Sequence, residues 1–222
     1  MSDKIDTNKN QLLIFSMVAA LGGLLFGFDT GVISGAIPFI KLEFYLNSYQ
    51  EGFAISNLMI ACVIGALIAG PIADWTGRKK VLILCAVLFI VSAILSALPR
   101  SFTELVIARF IGGIGVGVAS VVSPMYIAEI SPAKIRGRLV ALNQLAIVVG
   151  ILLSYLSNWL LVDTGINNWR YMLVAEILPA TTFLMGLFFI LESPRWLTKE
   201  GLEKDALDVL KVVAGAVNAD HE

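Results

Sequence analysis

The chain has 222 residues, of which 58% are hydrophobic and 15% carry charge, whereas soluble domains usually carry about 25% charged residues. The formal net charge of −1 excludes a basic protein that binds nucleic acid. The excess of apolar surface over charge requires a lipid environment, so the composition predicts a membrane protein.

Six apolar stretches are long enough to cross a hydrocarbon layer of roughly 30 Å, which takes about 20 helical residues. We expect the first stretch to be retained, because its apolar run is longer than the roughly 7–15 residues of a cleaved signal core. The sequence therefore predicts an all-α membrane protein with a tail over 1–10, a six-helix transmembrane bundle over 11–191 and a polar segment over 192–222. The predicted spans are 11–36, 54–73, 80–98, 104–127, 139–161 and 170–191.

Lys and Arg residues concentrate on one side of these spans, and positively charged loops resist translocation. The opposite side receives only Lys41, Arg100 and Arg170. This asymmetry predicts a multi-pass protein of the cytoplasmic membrane with both ends of the chain in the cytoplasm. The cations on the predicted cytoplasmic side are Lys4, Lys9, Arg78, Lys79, Lys80, Lys134, Arg136, Arg138, Arg195, Lys199, Lys204 and Lys211.

Two charged residues lie inside the predicted spans, Asp29 in helix 1 and Arg109 near the start of helix 4. A charge at the bilayer centre costs about 2.5–3.5 kcal/mol on insertion scales, so such residues usually have a function. Bringing the two together in the bundle interior, within reach of water, reduces both penalties. We expect an ion pair that protonation of Asp29 breaks. The alternative is a fixed intramembrane salt bridge that holds helices 1 and 4 together.

Glycines recur at intervals of four residues in helix 1 and therefore remove the side chains from one of its faces. That spacing predicts close packing and sliding against a neighbouring helix. The glycine run of helix 4 follows no predicted strand, so close packing is favoured over a nucleotide-binding loop. The helix 1 glycines are Gly23, Gly27, Gly31 and Gly35, and those of helix 4 are Gly112, Gly113, Gly115 and Gly117.

Asn143 and Gln144 place two amide groups inside helix 5. An amide both donates and accepts hydrogen bonds, which suits the hydroxyl groups of a sugar. For either residue taken alone, a hydrogen bond between helices is an equally good interpretation.

The sequence offers no residues for metal or enzyme chemistry. Cys62 and Cys85 lie in apolar runs, which favours packing roles over a disulfide or a zinc pair, and His221 lies in a polar tail. No nucleophile, base and orienting group occur together. We therefore predict that the chain is not an enzyme and binds no metal or cofactor.

The segment Thr198–Val213 is polar but has apolar residues at helical spacing. This pattern predicts an amphipathic helix on the cytoplasmic surface, either as a solvated tail or as a specific latch. The apolar positions are Leu202, Ala206, Leu207, Val209 and Leu210.

The loop between helices 2 and 3 reads Gly-Pro-Ile-Ala-Asp-Trp-Thr-Gly-Arg-Lys from Gly70 to Lys79. It resembles the signature of the major facilitator superfamily at that position. Gly77 permits a tight turn, while Asp74 and Arg78 can make charge-assisted contacts with neighbouring helix ends. An ordinary positive loop would explain the cations but not the spacing of the acid and the glycine.

Three further segments resemble signatures of the sugar porter family within this superfamily. They are Arg109–Gly117, Ser123–Ile130 with the following Ile-Arg-Gly of 135–137, and Glu192–Leu197. The resemblance covers essentially the whole chain and extends to bacterial sugar/proton symporters and glucose carriers. It implies transport of a monosaccharide, a hexose or a pentose, together with a proton by alternating access.

The resemblance also implies roles for individual residues. Asp29 and Arg109 match the proton-coupling carboxylate and its helix 4 partner, which favours symport over facilitative carriage. Gln144 matches a sugar-binding glutamine, Phe26 an aromatic residue that lines the sugar cavity, and Ile151 a further cavity position. The residues that match a cytoplasmic gating network, which holds the outward-facing state closed on the inside, are Asp74, Gly77, Arg78, Glu129, Arg136, Glu192 and Arg195.

Three departures from the family pattern limit this assignment. Ile151 stands where a xylose carrier has glutamine and several glucose carriers have isoleucine, and Leu191 stands where the family often has proline. Such transporters are about twice as long, with substrate held between two six-helix halves. We therefore interpret the chain as an N-terminal half whose partners are the lipid bilayer and a C-terminal half, and we expect no transport from it alone unless it dimerises.

Four other functions compete with proton-coupled sugar transport. A facilitative sugar carrier has the same architecture, and a major facilitator transporter can carry a substrate other than a sugar. A sensor or assembly protein would bind ligand without moving it. A membrane enzyme is the weakest alternative, because the chemical groups that it needs do not occur together.

Overall fold

The structure, a computed structural model, describes the backbone of residues 9–214 and the side chains of residues 10–213. Within this range all regular structure is helical. His221 and all but the end of the predicted 1–10 tail lie outside the described residues. The helices are α1 (Lys9–Glu43), α2 (Ser48–Thr76), α3 (Arg78–Ala97), α4 (Phe102–Ile130), α5 (Arg136–Leu161), α6 (Asn168–Val174), α7 (Ile177–Phe189), α8 (Pro194–Lys199) and α9 (Glu203–Ala214).

Six helical stretches of the described chain are long and apolar enough to cross a membrane, which confirms the predicted six-helix membrane fold. They are α1 to α5 and the combined α6 and α7. Most helices extend beyond the predicted apolar stretches, because helical hydrogen bonds and caps continue into polar sequence. Asn47, for example, starts α2 with a reciprocal capping box, in which its side chain and that of Gln50 each accept a backbone N–H of the other.

Pro179 interrupts the sixth span, which the sequence predicted as one helix over 170–191. Proline has no N–H to donate, so the carbonyl of Ala175 accepts instead from Leu178, three residues on, at 3.2 Å. Glu176 lies at this interruption with a helical backbone (φ −61°, ψ −24°). The two helices together still form one span, Asn168–Phe189, with a local change in hydrogen bonding that positions Glu176.

The glycines of helix 1 pack against α5, which confirms the predicted close approach. A Cβ atom on Gly27 would collide with the backbone of Ile147, and one on Gly150 would collide in return with the backbone of Leu24. Three polar residues of α5 fill the remaining space against Gly23, Gly31 and Gly35. These residues are Asn143, Ser154 and Asn158.

A second close pair is formed by α2 and α4. A Cβ atom on Gly113 would lie 2.6 Å from the carbonyl oxygen of Leu58, and Gly65 meets the backbone of Ile114 in the same way. Cys85 is buried in the main hydrophobic core and Cys62 is half-buried, and both are free thiols. The bundle thus consists largely of two tightly packed pairs, α1 with α5 and α2 with α4.

The helices α8 and α9 cover one end of the bundle, which we call the α8 end. The sequence predicted one amphipathic helix over 198–213, but Gly201 (φ +78°) separates α8 from α9. Ala206, Val209 and Val213 of α9 are buried in the same core as residues of α1, while Leu207 is 41% exposed. The predicted amphipathic helix is therefore shorter than expected, and it is docked on the bundle instead of extending into solvent.

Candidate transport site

Asp29 of α1 and Arg109 of α4 meet inside the bundle. Nη1 of Arg109 donates to Oδ1 of Asp29, and Nη2 donates to the Asp29 backbone carbonyl at 3.3 Å. Their side chains are 2% and 3% exposed, respectively. The sequence predicted this pairing, and the structure places both residues on the facing sides of α1 and α4.

Glu176 is a third charged residue in this buried cluster, and the sequence analysis missed it. It is 2% exposed, and its carboxyl group lies close enough to Asp29 and Arg109 to interact electrostatically with both. The signal was available, since Glu176 is an acidic residue inside the predicted span 170–191 and the argument applied to Asp29 applies equally there. We call Asp29, Arg109 and Glu176 the charge cluster.

The charge cluster contains two carboxyl groups and one guanidinium group. When both carboxylates are ionised, the cluster carries one excess negative charge, and the addition of one proton makes it neutral. Buried charges are costly unless they are compensated. Binding of a proton to the charge cluster therefore changes the free energy of the packing between α1, α4 and the segment around Pro179. Oδ2 of Asp29 and Nε of Arg109 have no hydrogen-bond partner within the described chain, so the pairing is incomplete.

Water does not reach the charge cluster freely in this conformation. The sequence analysis expected a solvent-accessible cleft, but Asp29, Arg109 and Glu176 are all at most 2% exposed as whole residues. Their burial follows from the close approach of α1 and α4 and from Glu176 lying at the sixth span. Exchange of a proton with solvent therefore requires a different arrangement of these helices.

The predicted sugar-contacting residues lie on an open side of α1 and α5. Gln144 is exposed, and its amide makes no hydrogen bond within the described chain. Ile151 is half-buried and lies two turns further along the same face of α5. Phe26 is half-buried on α1, between Gly23 and Gly27, whose α5 neighbours are Asn143 and Ile147. We call the surface formed by these three residues the polar cleft; Gln144 and Ile151 lie roughly 10 Å apart along α5.

The two amides of helix 5 have different surroundings. Asn143 is buried, and its Oδ1 atom lies in the contact with Gly23. Gln144 points away from that contact and is exposed. Within the described residues the Oδ1 atom of Asn143 has no hydrogen-bond partner, so Asn143 packs against α1 without the hydrogen bond between helices that was one interpretation of it. Gln144 is the exposed amide of the two.

Arg78 is the centre of the contacts among the predicted gating residues at the α8 end. Its guanidinium group binds Glu129 in a bidentate manner at 2.9 and 3.0 Å, and it also contacts Asp74 at 3.0 Å and the carbonyl of Ala73 at 3.0 Å. The side chains of Arg78 and Glu129 are 7% and 6% exposed. This contact joins the start of α3 to the end of α4 with the geometry that arginine prefers for carboxylates.

Glu192 caps the start of α3 and makes no ion pair with any residue that the structure describes. Its Oε1 atom accepts the backbone N–H groups of Arg78 at 2.9 Å and Lys79 at 3.1 Å. Gly77 makes this approach possible, because it has φ +95° and a Cβ atom there would lie 2.5 Å from the Glu192 carboxylate. The negative charge at this helix N-terminus fastens the segment after α7 to α3.

Arg136 and Arg195 differ from the other predicted gating residues. Arg136 donates to the carbonyl of Ser131 at 3.3 Å, and neither arginine pairs with a carboxylate of the described chain. Both are exposed, so water can solvate them. Two residues that were not predicted also contact these acidic side chains. Lys199 pairs with Asp74 at 3.2 Å, and the hydroxyl of Ser193 donates to Glu129.

Comparison with known proteins gives matches along nearly the whole chain. Residues 15–222 match the family described as sugar (and other) transporter. A glucose transport protein of Synechocystis sp. is 45% identical over 219 residues, which cover 94% of this chain and 47% of that protein. The D-xylose-proton symporter of Escherichia coli (strain K12) is 41% identical over 245 residues, covering 95% of this chain and 50% of the symporter.

Solved structures with the same fold include the proton:xylose symporter XylE bound to 6-bromo-6-deoxy-D-glucose. It superposes with a TM-score of 0.92 at 39% identity, over 96% of this chain and 52% of that protein. An inward open conformation of XylE from E. coli gives a TM-score of 0.85 at 38% identity, over 94% of this chain and 54% of that protein. The chain spans about half the length of the curated relatives it matches.

The family match covers more than half of the chain, and the fold agrees with that of a solved major facilitator transporter. Together with the six membrane-spanning stretches, these matches identify the class of protein. The relatives are transporters and not enzymes. The chain is a multi-pass membrane protein that belongs to the sugar porter family of the major facilitator superfamily.

Proposed function

We propose that this chain forms the N-terminal bundle of a secondary transporter that moves a monosaccharide together with a proton by alternating access. The observation that carries the proposal is the charge cluster, a buried group of two carboxyls and one guanidinium that becomes neutral on binding one proton. A relative at 41% identity is named a D-xylose-proton symporter, and another at 42% an arabinose-proton symporter. These names support a proton as the coupling ion.

The proposed mechanism links the proton to helix packing. One proton on the charge cluster leaves a single carboxylate for Arg109, and transfer of that proton between Glu176 and Asp29 passes the pairing of Arg109 from one carboxylate to the other. Because Asp29 and Arg109 join α1 to α4, this exchange changes the contact between the two close pairs of the bundle. Alternating access requires that loaded and empty carriers reorient while half-loaded carriers rarely do.

The polar cleft is the proposed sugar-binding surface of this half. Gln144 offers an unpaired amide, which can donate to one sugar hydroxyl and accept from another. Phe26 and Ile151 add apolar contact to the faces of the ring. A C-terminal six-helix half would close the cleft from the other side, as expected for substrate held between two bundles.

We infer that both ends of this chain lie in the cytoplasm, at the cytoplasmic membrane. The α8 end carries Arg78, Lys79, Arg136, Arg195 and Lys199, and positively charged segments resist translocation. Arg78, Glu129 and Asp74 then form a cytoplasmic gate that stabilises the outward-facing state. Opening of this gate would favour the inward-facing state.

The proton supplies enough free energy for useful accumulation. Moving one charge across about 100 mV is worth roughly 2.3 kcal/mol, and each unit of pH difference adds about 1.4 kcal/mol. A modest gradient therefore concentrates a sugar on the order of a hundredfold, since each tenfold step requires about 1.4 kcal/mol.

The test of sugar carriage uses the transporter that contains this chain, purified and reconstituted in liposomes. We expect Gln144→Ala to raise the half-saturating sugar concentration in counterflow about tenfold or more, because one amide with two hydrogen bonds is lost. Leu145→Ala is the matched control, since Leu145 is the exposed neighbour on another face of α5. Equal sugar dependence of Gln144→Ala and wild type would remove Gln144 from the binding site, and an absence of counterflow with every hexose and pentose would overturn sugar carriage.

A further inference from the structure

A groove with a volume of about 520 Å³ runs along the outside of the bundle between α1, α5 and the sixth span. Its walls are apolar, and the main contributors are Leu24, Phe28, Leu156, Leu160, Leu178 and Pro179. The groove begins near the middle of α1 and continues beside the C-terminal half of α5. We call it the lateral groove.

The lateral groove and the polar cleft lie on opposite sides of α5. Successive residues of a helix are rotated by roughly 100°, so Leu153 and Leu160 of the groove lie roughly 180° and 160° around α5 from Gln144. The contact with α1 lies between these two faces, at Gly150 and Ser154. A second bundle that closes the polar cleft therefore leaves the lateral groove facing the membrane.

The side chains that line the lateral groove favour binding of a hydrocarbon chain over water. Its only polar side chains are the hydroxyls of Ser157 and Thr182, and that of Thr182 already donates to the carbonyl of Leu178 at 2.9 Å. A water molecule needs two to four polar partners, which these walls do not offer. An empty groove would forfeit the dispersion contacts of its walls, whereas a flexible acyl chain restores them.

Two residues that line the lateral groove are sequence neighbours of the two acidic residues of the charge cluster. Phe28 lines it and directly precedes Asp29, while Ala175 lines it and directly precedes Glu176. Pro179, which interrupts the hydrogen bonding of the sixth span, forms part of its wall. An object in the groove therefore packs against the backbone segments that position Asp29 and Glu176.

We propose that the lateral groove binds one acyl chain of a membrane phospholipid and that the bound chain fixes the Pro179 interruption against α1 and α5. Lipid bound in this way acts as a structural ligand of the charge cluster, on the side opposite to the sugar. The effect on proton coupling rests on the proposed function, whereas binding of the chain does not.

Photolabelling tests the binding directly. The full transporter is reconstituted with a phospholipid that carries a diazirine near the end of one acyl chain, irradiated, digested and analysed by mass spectrometry. We expect adducts in peptides covering 153–161 and 175–182 at several times the level found around Leu67, a 74% exposed residue of α2 outside the groove. Leu156→Trp fills the groove and should lower these adducts at least threefold.

Leu152→Trp provides the matched control, because Leu152 is an exposed leucine one turn earlier on α5 and does not line the groove. It should label like wild type, and Leu178→Trp, which fills the groove from α7, should repeat the effect of Leu156→Trp. Equal labelling of groove and Leu67 peptides would overturn the proposal. So would unchanged labelling in both groove-filling variants.

A second measurement tests the link to the charge cluster. Methyl-branched acyl chains are too wide for a groove that holds a straight chain, so replacing straight-chain lipid by phytanoyl lipid should change sugar-dependent proton uptake at least twofold. Proton uptake by wild type and by Leu152→Trp should change between the two lipids, whereas proton uptake by Leu156→Trp should be the same in both. A response of the same size in all three would overturn the link. If wild type shows no sugar-dependent proton uptake, the proposed function fails while the labelling result still decides whether lipid binds.

Discussion

Replacing Arg109 by methionine should abolish sugar-dependent proton uptake and destabilise the bundle by about 3–5 kcal/mol, the usual cost of removing one partner from a buried ion pair. The variant keeps an apolar stem of similar length but leaves Asp29 and Glu176 facing each other without a cation. The fall in stability is measured as a lower midpoint of thermal unfolding in detergent.

Two comparisons separate this effect from a general loss of charge. Arg100→Met removes an exposed arginine just before α4 and should leave both thermal stability and transport near wild type. The double variant Asp29→Asn with Arg109→Met removes a buried charge of each sign and should recover part of the lost stability. If Arg109→Met unfolds at the same temperature as Arg100→Met, the charge cluster is not a compensated buried group.

Replacing Arg78 by methionine should open the α8 end and lower the stability of the bundle by about 3 kcal/mol. The Glu129 side chain is 6% exposed and would lose both of its hydrogen bonds from Arg78, keeping the one from Ser193, while the half-exposed Asp74 would keep Lys199 as a partner. A reporter cysteine at Met125, which lines the cavity at this end, should therefore react faster with a maleimide, in a background without Cys62 and Cys85.

Lys80→Met is the control for the Arg78 experiment, because Lys80 is an exposed cation two residues further on. We expect its alkylation rate and unfolding midpoint to match those of the parent. An unchanged alkylation rate in Arg78→Met would mean that the contact of Arg78 with Glu129 holds the helices together without controlling access.

The sequence predicted the membrane-spanning helices because the length of an apolar run alone decides whether a helix crosses a bilayer. The ends of these helices were harder to predict, because caps such as Asn47 and hydrogen bonds beyond the apolar run extend the helices. The interruption of the sixth span had a clear local cause in Pro179, and Glu176 beside it was recognisable as a charge inside a span. Neither was predicted, because the length of the apolar run alone identified the span over 170–191.

Contacts between distant segments were predictable only where chemistry restricts the choice of partner. Asp29 and Arg109 had to be compensated in an apolar bundle, so their pairing followed from their positions. The absence of a carboxylate partner for Arg136 and Arg195 within the described residues did not follow, because an exposed arginine can be solvated by water instead. The pairing of Lys199 with Asp74 depends on the turn at Gly201 and the docking of α8, for which the sequence gives no comparable signal.

The central claim is that one proton on the charge cluster drives sugar transport, and Asp29→Asn tests it most directly. This variant leaves one carboxylate and one guanidinium, so the cluster is already neutral and the bundle should fold. Asp163→Asn, at an exposed acid outside the cluster, is the control. Proton uptake during sugar entry and sugar counterflow are measured side by side in liposomes containing the full transporter. We predict that Asp29→Asn retains counterflow but loses sugar-dependent proton uptake; wild-type proton uptake in this variant would contradict the claim and leave the ion pair as a fixed structural bridge.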